Sequence, residues 1–400
     1  MNLPVSGNRL FPATLMRTKG IRLWNRMDSD TTHNLDFSGE FRKRRRVDTL
    51  LRQIRMEASG NYVFMEVCGG HTTAIHSYGI PGLLPENIRL ISGPGCPVCV
   101  TSRSFIDHAI ALASIPGMII ATFGDLVRVP GSRTSLEKAK AAGADIRIIY
   151  SVYEAIGFAV RHKDKKVVFL AIGFETTAPG NAAGVLEAGK QGLTNFFILS
   201  AQKIMPPAMK AVVEGGTHVN GFICPGHVST ITGSAIYEFL SRDFGIGCAI
   251  SGFEPVDILQ SILMLIRQVN RNAPKVEVQY KRAVKPEGNP KAVNIMNQVF
   301  DVSDDWWRGF GIISHSGLQL NTGYERFDAR QIFTGIHQEQ QDEGLCICGD
   351  ILRGTHTPDE CPLFGAGCTP GNPEGACMVS SEGACFIFYK YRMTVSYTHL

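Results

Sequence analysis

Four hundred residues suffice for two or three domains of ordinary size, and 44% apolar with 19% charged residues is globular rather than disordered. A formal net charge of +4 is too small to argue for a nucleic-acid partner. No run approaches the roughly 18 to 20 apolar residues of a membrane span and the N-terminus lacks a secretory core, so a cytoplasmic protein is expected; eleven cysteines there point to metal or redox chemistry, not a disulfide framework.

Residues 1–37 are polar and without a clear period, and read as a disordered leader. The basic run Arg42 to Arg46 opens an amphipathic stretch and reads as a solvated helix face. Beyond it, Tyr62 to Val67, Gly117 to Phe123, Ile146 to Tyr150, Lys166 to Ile172, Asn195 to Ser200, Gly221 to Cys224 and Gly247 to Ser251 are predicted strands. Several are continuously apolar, as strands buried on both faces should be. Helical periodicity runs through Ser104 to Ser114, Ser135 to Ala142, Asn181 to Lys190, Pro206 to Glu214 and Pro255 to Val269. That alternation predicts an α/β fold with largely parallel sheets.

The rhythm suggests two such units, 38–150 and 151–285, divided near Ser151 and followed by a region of different character, 286–392. From Asn270 to Pro290 the chain is polar and proline-bearing, a linker or an edge hairpin. After Leu345 regular periodicity ends, and Gly, Pro and Cys dominate. About 40 residues so poor in apolar side chains need a cross-link to fold.

That segment holds Cys346, Cys348, Cys361, Cys368, Cys377 and Cys385. Four thiolates from loops can hold tetrahedral zinc or a [4Fe-4S] cube, and glycines let backbone amides approach the sulfurs. Zinc sites usually show two close Cys-x2-4-Cys knuckles. The long gaps here favour iron-sulfur, with buried free cysteines as the bland alternative.

A second constellation is Gly93-Pro-Gly-Cys96-Pro-Val-Cys99. Two cysteines two residues apart open and close a disulfide with little backbone movement, and a helix beginning just afterwards lowers a thiol pKa. Half a zinc knuckle has the same spacing. Third comes Met65-Glu-Val-Cys68-Gly-Gly-His71-Thr72, where a strand delivers a cysteine to its carboxyl end, the place at which open α/β sheets bind ligands. Cys68 is a candidate metal ligand or nucleophile with His71 as partner, against simple core packing. Two more strand ends repeat the pattern, Gly173-Phe-Glu175-Thr-Thr-Ala-Pro179 and Cys224-Pro-Gly-His227-Val-Ser-Thr230. Glu175 is suited to orient a thiol or relay a proton and His227 to bond a ligand held in the cleft, while their hydroxyl neighbours also suit helix capping.

Together these stretches resemble the HypD family, in its order, from about Phe41 to about Tyr391. The matching segments are Met65 to Thr72, Ser92 to Thr101, Gly173 to Pro179, Gly226 to Gly233 and Cys361 to Tyr391. The resemblance implies two α/β domains facing a cleft plus a C-terminal iron-sulfur domain, a scaffold on which the Fe(CN)2(CO) group of [NiFe] hydrogenase is assembled. It implies a [4Fe-4S] cluster on Cys346, Cys361, Cys368 and Cys385, leaving Cys348 and Cys377 over. The implied iron-binding residues are Cys68, Cys96 and Cys99, with a small HypC-type partner supplying a further cysteine. Cys96 and Cys99 are implied to be a redox pair exchanging electrons with the cluster, and a HypE-type partner to deliver cyanide. Residues before about Ser38 and the tail 393–400 depart from the family pattern and are set aside. Two rival readings use the same residues: a stand-alone iron-sulfur thiol-disulfide oxidoreductase, and a zinc-stabilised binding module.

Overall fold

The computed structural model describes residues 41–335 and 345–395, with side chains as far as Tyr391. The expected leader 1–37 and the last five residues of the expected tail lie outside the described residues.

Eleven strands are described: β1 (Tyr62–Glu66), β2 (Ile88–Ser92), β3 (Met118–Thr122), β4 (Asp145–Ile148), β5 (Lys166–Gly173), β6 (Phe196–Lys203), β7 (Gly221–Pro225), β8 (Gly247–Ser251), β9 (Val276–Val278), β10 (Phe300–Trp307) and β11 (Gly311–Leu320). They form a five-stranded sheet in the order β2-β1-β7-β8-β9 and a six-stranded sheet in the order β10-β11-β6-β5-β3-β4. Every pairing in the first is parallel. The second is parallel through β6, β5, β3 and β4, while the β10–β11 hairpin joins β6 antiparallel.

The parallel cores follow from composition. β3, β7 and β8 are buried along their whole length, and β5 is buried beyond its first residue. On β5, Val168, Leu170 and Ile172 enter one apolar cluster and Val167, Phe169 and Ala171 the other, so helices must cover both faces. Those helices begin where side chains cap them: Ser102 Oγ accepts from Phe105 N, and Ser135 Oγ from Lys138 N. The basic run lies at the start of the helix Arg44–Glu57, which buries Leu50, Leu51 and Ile54.

Three expectations about organisation are corrected. The boundary near Ser151 does not divide the sheets, because β3 and β4 pair with β5 while β7 to β9 return to β1. An apolar run records that a strand is buried, not which sheet receives it. The stretch 270–290 contains a short parallel edge strand, β9, rather than a hairpin. Likewise 300–320, placed in the expected third region, is a hairpin that extends the six-stranded sheet through Gly317↔Lys203 and Leu318↔Gln202. The cysteine-rich segment is also more helical than its glycine content suggests, closing on the helix Ala384–Val395, whose last residues, from Met393, fall in the expected tail. No helix among the described residues is long and apolar enough to cross a membrane.

Candidate functional site

β1 ends at Glu66, and Cys68, in extended conformation, caps the helix Gly69–Ser77. Beneath it the Glu66 carboxyl is buried and accepts from Cys68 N (3.1 Å) and Thr72 Oγ1 (2.5 Å). Burial pushes the Glu66 carboxyl up to about 8, so it is largely protonated at neutral pH. Cys68 itself is half-buried, and its packed surroundings push the thiol up to about 12. A metal ion that takes the sulfur must therefore displace a proton.

The Gly93–Cys99 turn lies directly on this position. Gly93 N donates to Glu66 O (2.8 Å) and Gly69 N to Gly95 O (3.1 Å). A Cβ on Gly95 would stand 2.2 Å from Cys68 N, a backbone-on-backbone approach that only glycine permits. Cys96 and Cys99 form a disulfide with their Cα atoms 5.2 Å apart, and Cys99 N donates to Cys96 Sγ (3.2 Å). The structure thus brings Cys68 and the two-cysteine turn together.

His71 and His227 meet at a third residue. Nε2 of the fully buried His71 lies 3.2 Å from Ser251 O and 3.1 Å from Gly252 O. Two carbonyl acceptors assign the proton to Nε2, leaving Nδ1 a lone-pair acceptor that has no hydrogen-bond partner among the described residues. Burial holds the ring down at about 4, hence neutral. Phe253 stacks on His71 (centroids 4.5 Å apart) and on His227 (4.0 Å), joining the helix Gly69–Ser77 to the helix Gly226–Thr232 that follows β7. Glu175 stands elsewhere, at the carboxyl end of β5. Its Oε1 accepts from Met205 N (2.9 Å), Oε2 is buried with no hydrogen-bond partner among the described residues, and burial pushes the carboxyl up to about 7.

The C-terminal cysteines surround one small hollow, lined by Cys346, Cys348, Cys361, Cys368, Cys377 and Cys385. Cys348 and Cys377, the two left over by the expected ligand set, have their sulfurs 2.8 Å apart. Glu374 N donates to Cys368 Sγ (3.4 Å), and a Cβ on Gly375 would stand 2.8 Å from Cys346 Sγ. Among the described residues no group of three metal-ligating side chains is drawn together around a single point. Soft sulfur donors around a hollow, with backbone amides and glycines at its wall, fit a polynuclear iron-sulfur centre.

The tail is docked on the other two sites. The helix Ala376–Val379 packs against Pro97–Val100, and Ala384–Val395 against Gly69–Ser77. Ser380 Oγ donates to Asp125 Oδ2 (3.0 Å), and a Cβ on Gly69 would stand 2.4 Å from Glu382 Cβ. Cysteines from three separate stretches of the chain are thereby collected at the carboxyl ends of β1 and its neighbours. The family model HypD, described as "Hydrogenase formation hypA family", matches residues 45–392 of this arrangement.

The chain belongs to the HypD family.

Similar proteins include hydrogenase maturation factor HypD2 of Bradyrhizobium diazoefficiens, 47% identical over 368 residues that span 89% of this chain and 97% of that protein. Hydrogenase maturation factor HypD of Cupriavidus necator is 45% identical over 88% of this chain and 96% of its own length. Its namesake in Escherichia coli K12 is 42% identical over 90% and 99%.

Sequence reasoning missed several residues of this HypD-family site: Glu66, Phe253, Asp125, Glu382 and Arg308, whose Nε donates to Cys99 O (3.0 Å). Asp125 carries a readable signal, since Gly124-Asp125 follows β3 as Gly-Gly-His71 follows β1. So does Glu66, a carboxylate that ends an otherwise apolar strand. Phe253, Glu382 and Arg308 carry none, because their roles depend on which segments meet.

Proposed function

We propose that this HypD-family chain is a hydrogenase maturation factor acting in the cytoplasm. On this reading it serves as the scaffold on which the Fe(CN)2(CO) group of [NiFe] hydrogenase is assembled, together with a small HypC-type partner and a HypE-type cyanide donor. The observation that carries this reading is the convergence of Cys68, the Cys96–Cys99 pair and the tail cysteines around one turn.

Cys68 binds the iron cargo as thiolate, giving up its proton on loading, and a soft sulfur suits low-spin iron carrying strong-field ligands. Neutral His71, its Nε2–H held by Ser251 and Gly252, keeps Nδ1 as an acceptor beside the loaded turn. Exposed His227, stacked on Phe253, would donate to a bound cyanide. When Cys96 and Cys99 close to a disulfide they release two electrons and two protons, and the reverse reaction takes up the same. Cys346, Cys361, Cys368 and Cys385 would hold a [4Fe-4S] cluster, which supplies single-electron exchange. The Cys348 and Cys377 thiols sit beside that donor set, with their sulfurs 2.8 Å apart.

The test is co-production with the HypC-type partner and infrared spectroscopy of the purified complex, with iron and acid-labile sulfide analysis alongside. Bands of iron-bound cyanide and CO are expected. Iron and sulfide without those bands would favour a stand-alone thiol-disulfide oxidoreductase, and zinc alone a binding module.

A further inference from the structure

Arg308 follows β10 at the tip of the β10–β11 hairpin and is only 2% exposed. Its backbone N–H donates to Val100 O (3.0 Å), its Nε to Cys99 O (3.0 Å) and its Nη2 to Thr101 O (3.1 Å). One residue, delivered by the six-stranded sheet, thus binds three successive carbonyls of the two-cysteine turn. The short helix Pro97–Val100 leaves its last carbonyls without partners inside the helix, and a guanidinium is the side chain that satisfies several at once. Burying that cation is costly unless its donors are matched, which makes its position an exacting one. The next residue, Gly309, lies at φ +83°, and a Cβ there would stand 2.5 Å from Gly349 Cα. The same hairpin tip therefore seats the turn that carries Cys348.

We propose that Arg308 is the positioning residue of the Cys96–Cys99 pair. By holding the carbonyls of residues 99–101 it keeps the two cysteines at the 5.2 Å Cα separation at which they close, and so favours the disulfide over the dithiol. This rests on the reading of Cys96 and Cys99 as a redox pair. By linkage the preference is reciprocal: a clamp that stabilises the disulfide is itself stabilised by it.

The test equilibrates the full chain, wild type, R308K and R308M, in anaerobic mixtures of reduced and oxidised dithiothreitol. The dithiol gives two electrons and two protons to the S–S bond and closes to its own cyclic disulfide. Free thiols at Cys96 and Cys99 are then alkylated and counted by peptide mass spectrometry. Both variants are expected to move the equilibrium about tenfold toward the protein dithiol, equivalent to about 30 mV for a two-electron couple. Lysine retains the charge but cannot span the carbonyls, so R308K matching wild type while R308M shifts would assign the effect to charge and overturn the clamp. No shift in either variant overturns it too. Should the variants not fold, hydrogen exchange on wild type decides: the peptide carrying Arg308 must exchange faster once the disulfide is reduced, and unchanged exchange sinks the inference. A wild-type pair that stays in one state across all mixtures removes the redox reading itself, a result distinct from a normal wild-type couple with silent variants.

Discussion

Gly69 and Glu382, more than 300 positions apart in the chain, pack so closely that a Cβ on the glycine would stand 2.4 Å from Glu382 Cβ and 2.7 Å from Glu382 O. The tail reaches the Cys68 turn only because nothing projects from that glycine. Gly69→Ala is therefore expected to lift the tail from the turn and to destabilise the protein by about 1–3 kcal/mol. Gly82→Ala, where nothing lies within 4 Å, serves as the control and should cost little. Thermal unfolding with the rate of Cys68 alkylation checks this: a Gly69→Ala protein as stable and as slowly alkylated as wild type would contradict the packing argument.

Glu175 offers a pH test. Its carboxyl is pushed from the ordinary 4.5 up to about 7 by burial. Between those values the unfolded chain has lost the proton and the folded chain keeps it, so stability falls as pH rises, levelling off above about 7. Glu175→Gln keeps an oxygen for Met205 N and removes the ionisation. The variant should be more stable than wild type at pH 8, on the order of 1–3 kcal/mol, and lose that advantage near pH 4.5. Urea midpoints for the pair across this range decide it, and a difference independent of pH would refute the burial argument.

For the tail, Cys361→Ser or Cys385→Ser is expected to abolish most bound iron and acid-labile sulfide in anaerobically prepared protein. Cys224→Ser should leave both unchanged, because Cys224 is buried on β7 away from the hollow. Equal metal content in all three would show that the hollow is not the cluster site.

Cys68→Ser separates cargo from cluster. The variant should retain the visible absorption and sulfide of the tail centre, yet lose the infrared cyanide and CO bands of the complex, since a hydroxyl is a poor ligand for soft iron. Retention of those bands would remove Cys68 from the cargo site.

Much of this was legible in the chain, because local physics writes itself into local pattern. Continuous apolar runs announced β3, β5, β7 and β8, and the Cys-Gly-Gly-His and Cys-x-x-Cys words announced chemistry at strand ends. The close approaches made at Gly93, Gly95 and Gly69 are visible only in the fold.

What the residues alone determined is therefore seven of the eleven described strands and the reactive groups at their ends, since strand burial and thiol chemistry depend on near neighbours. Only the tertiary structure decided that β7 returns beside β1, that the β10–β11 hairpin sends Arg308 to the Cys96–Cys99 turn, and that Glu382 covers Gly69. The physical reason is that a buried apolar strand is equally at home in either sheet. The choice is made by long-range fit of backbone against backbone, which leaves no periodic trace along the chain.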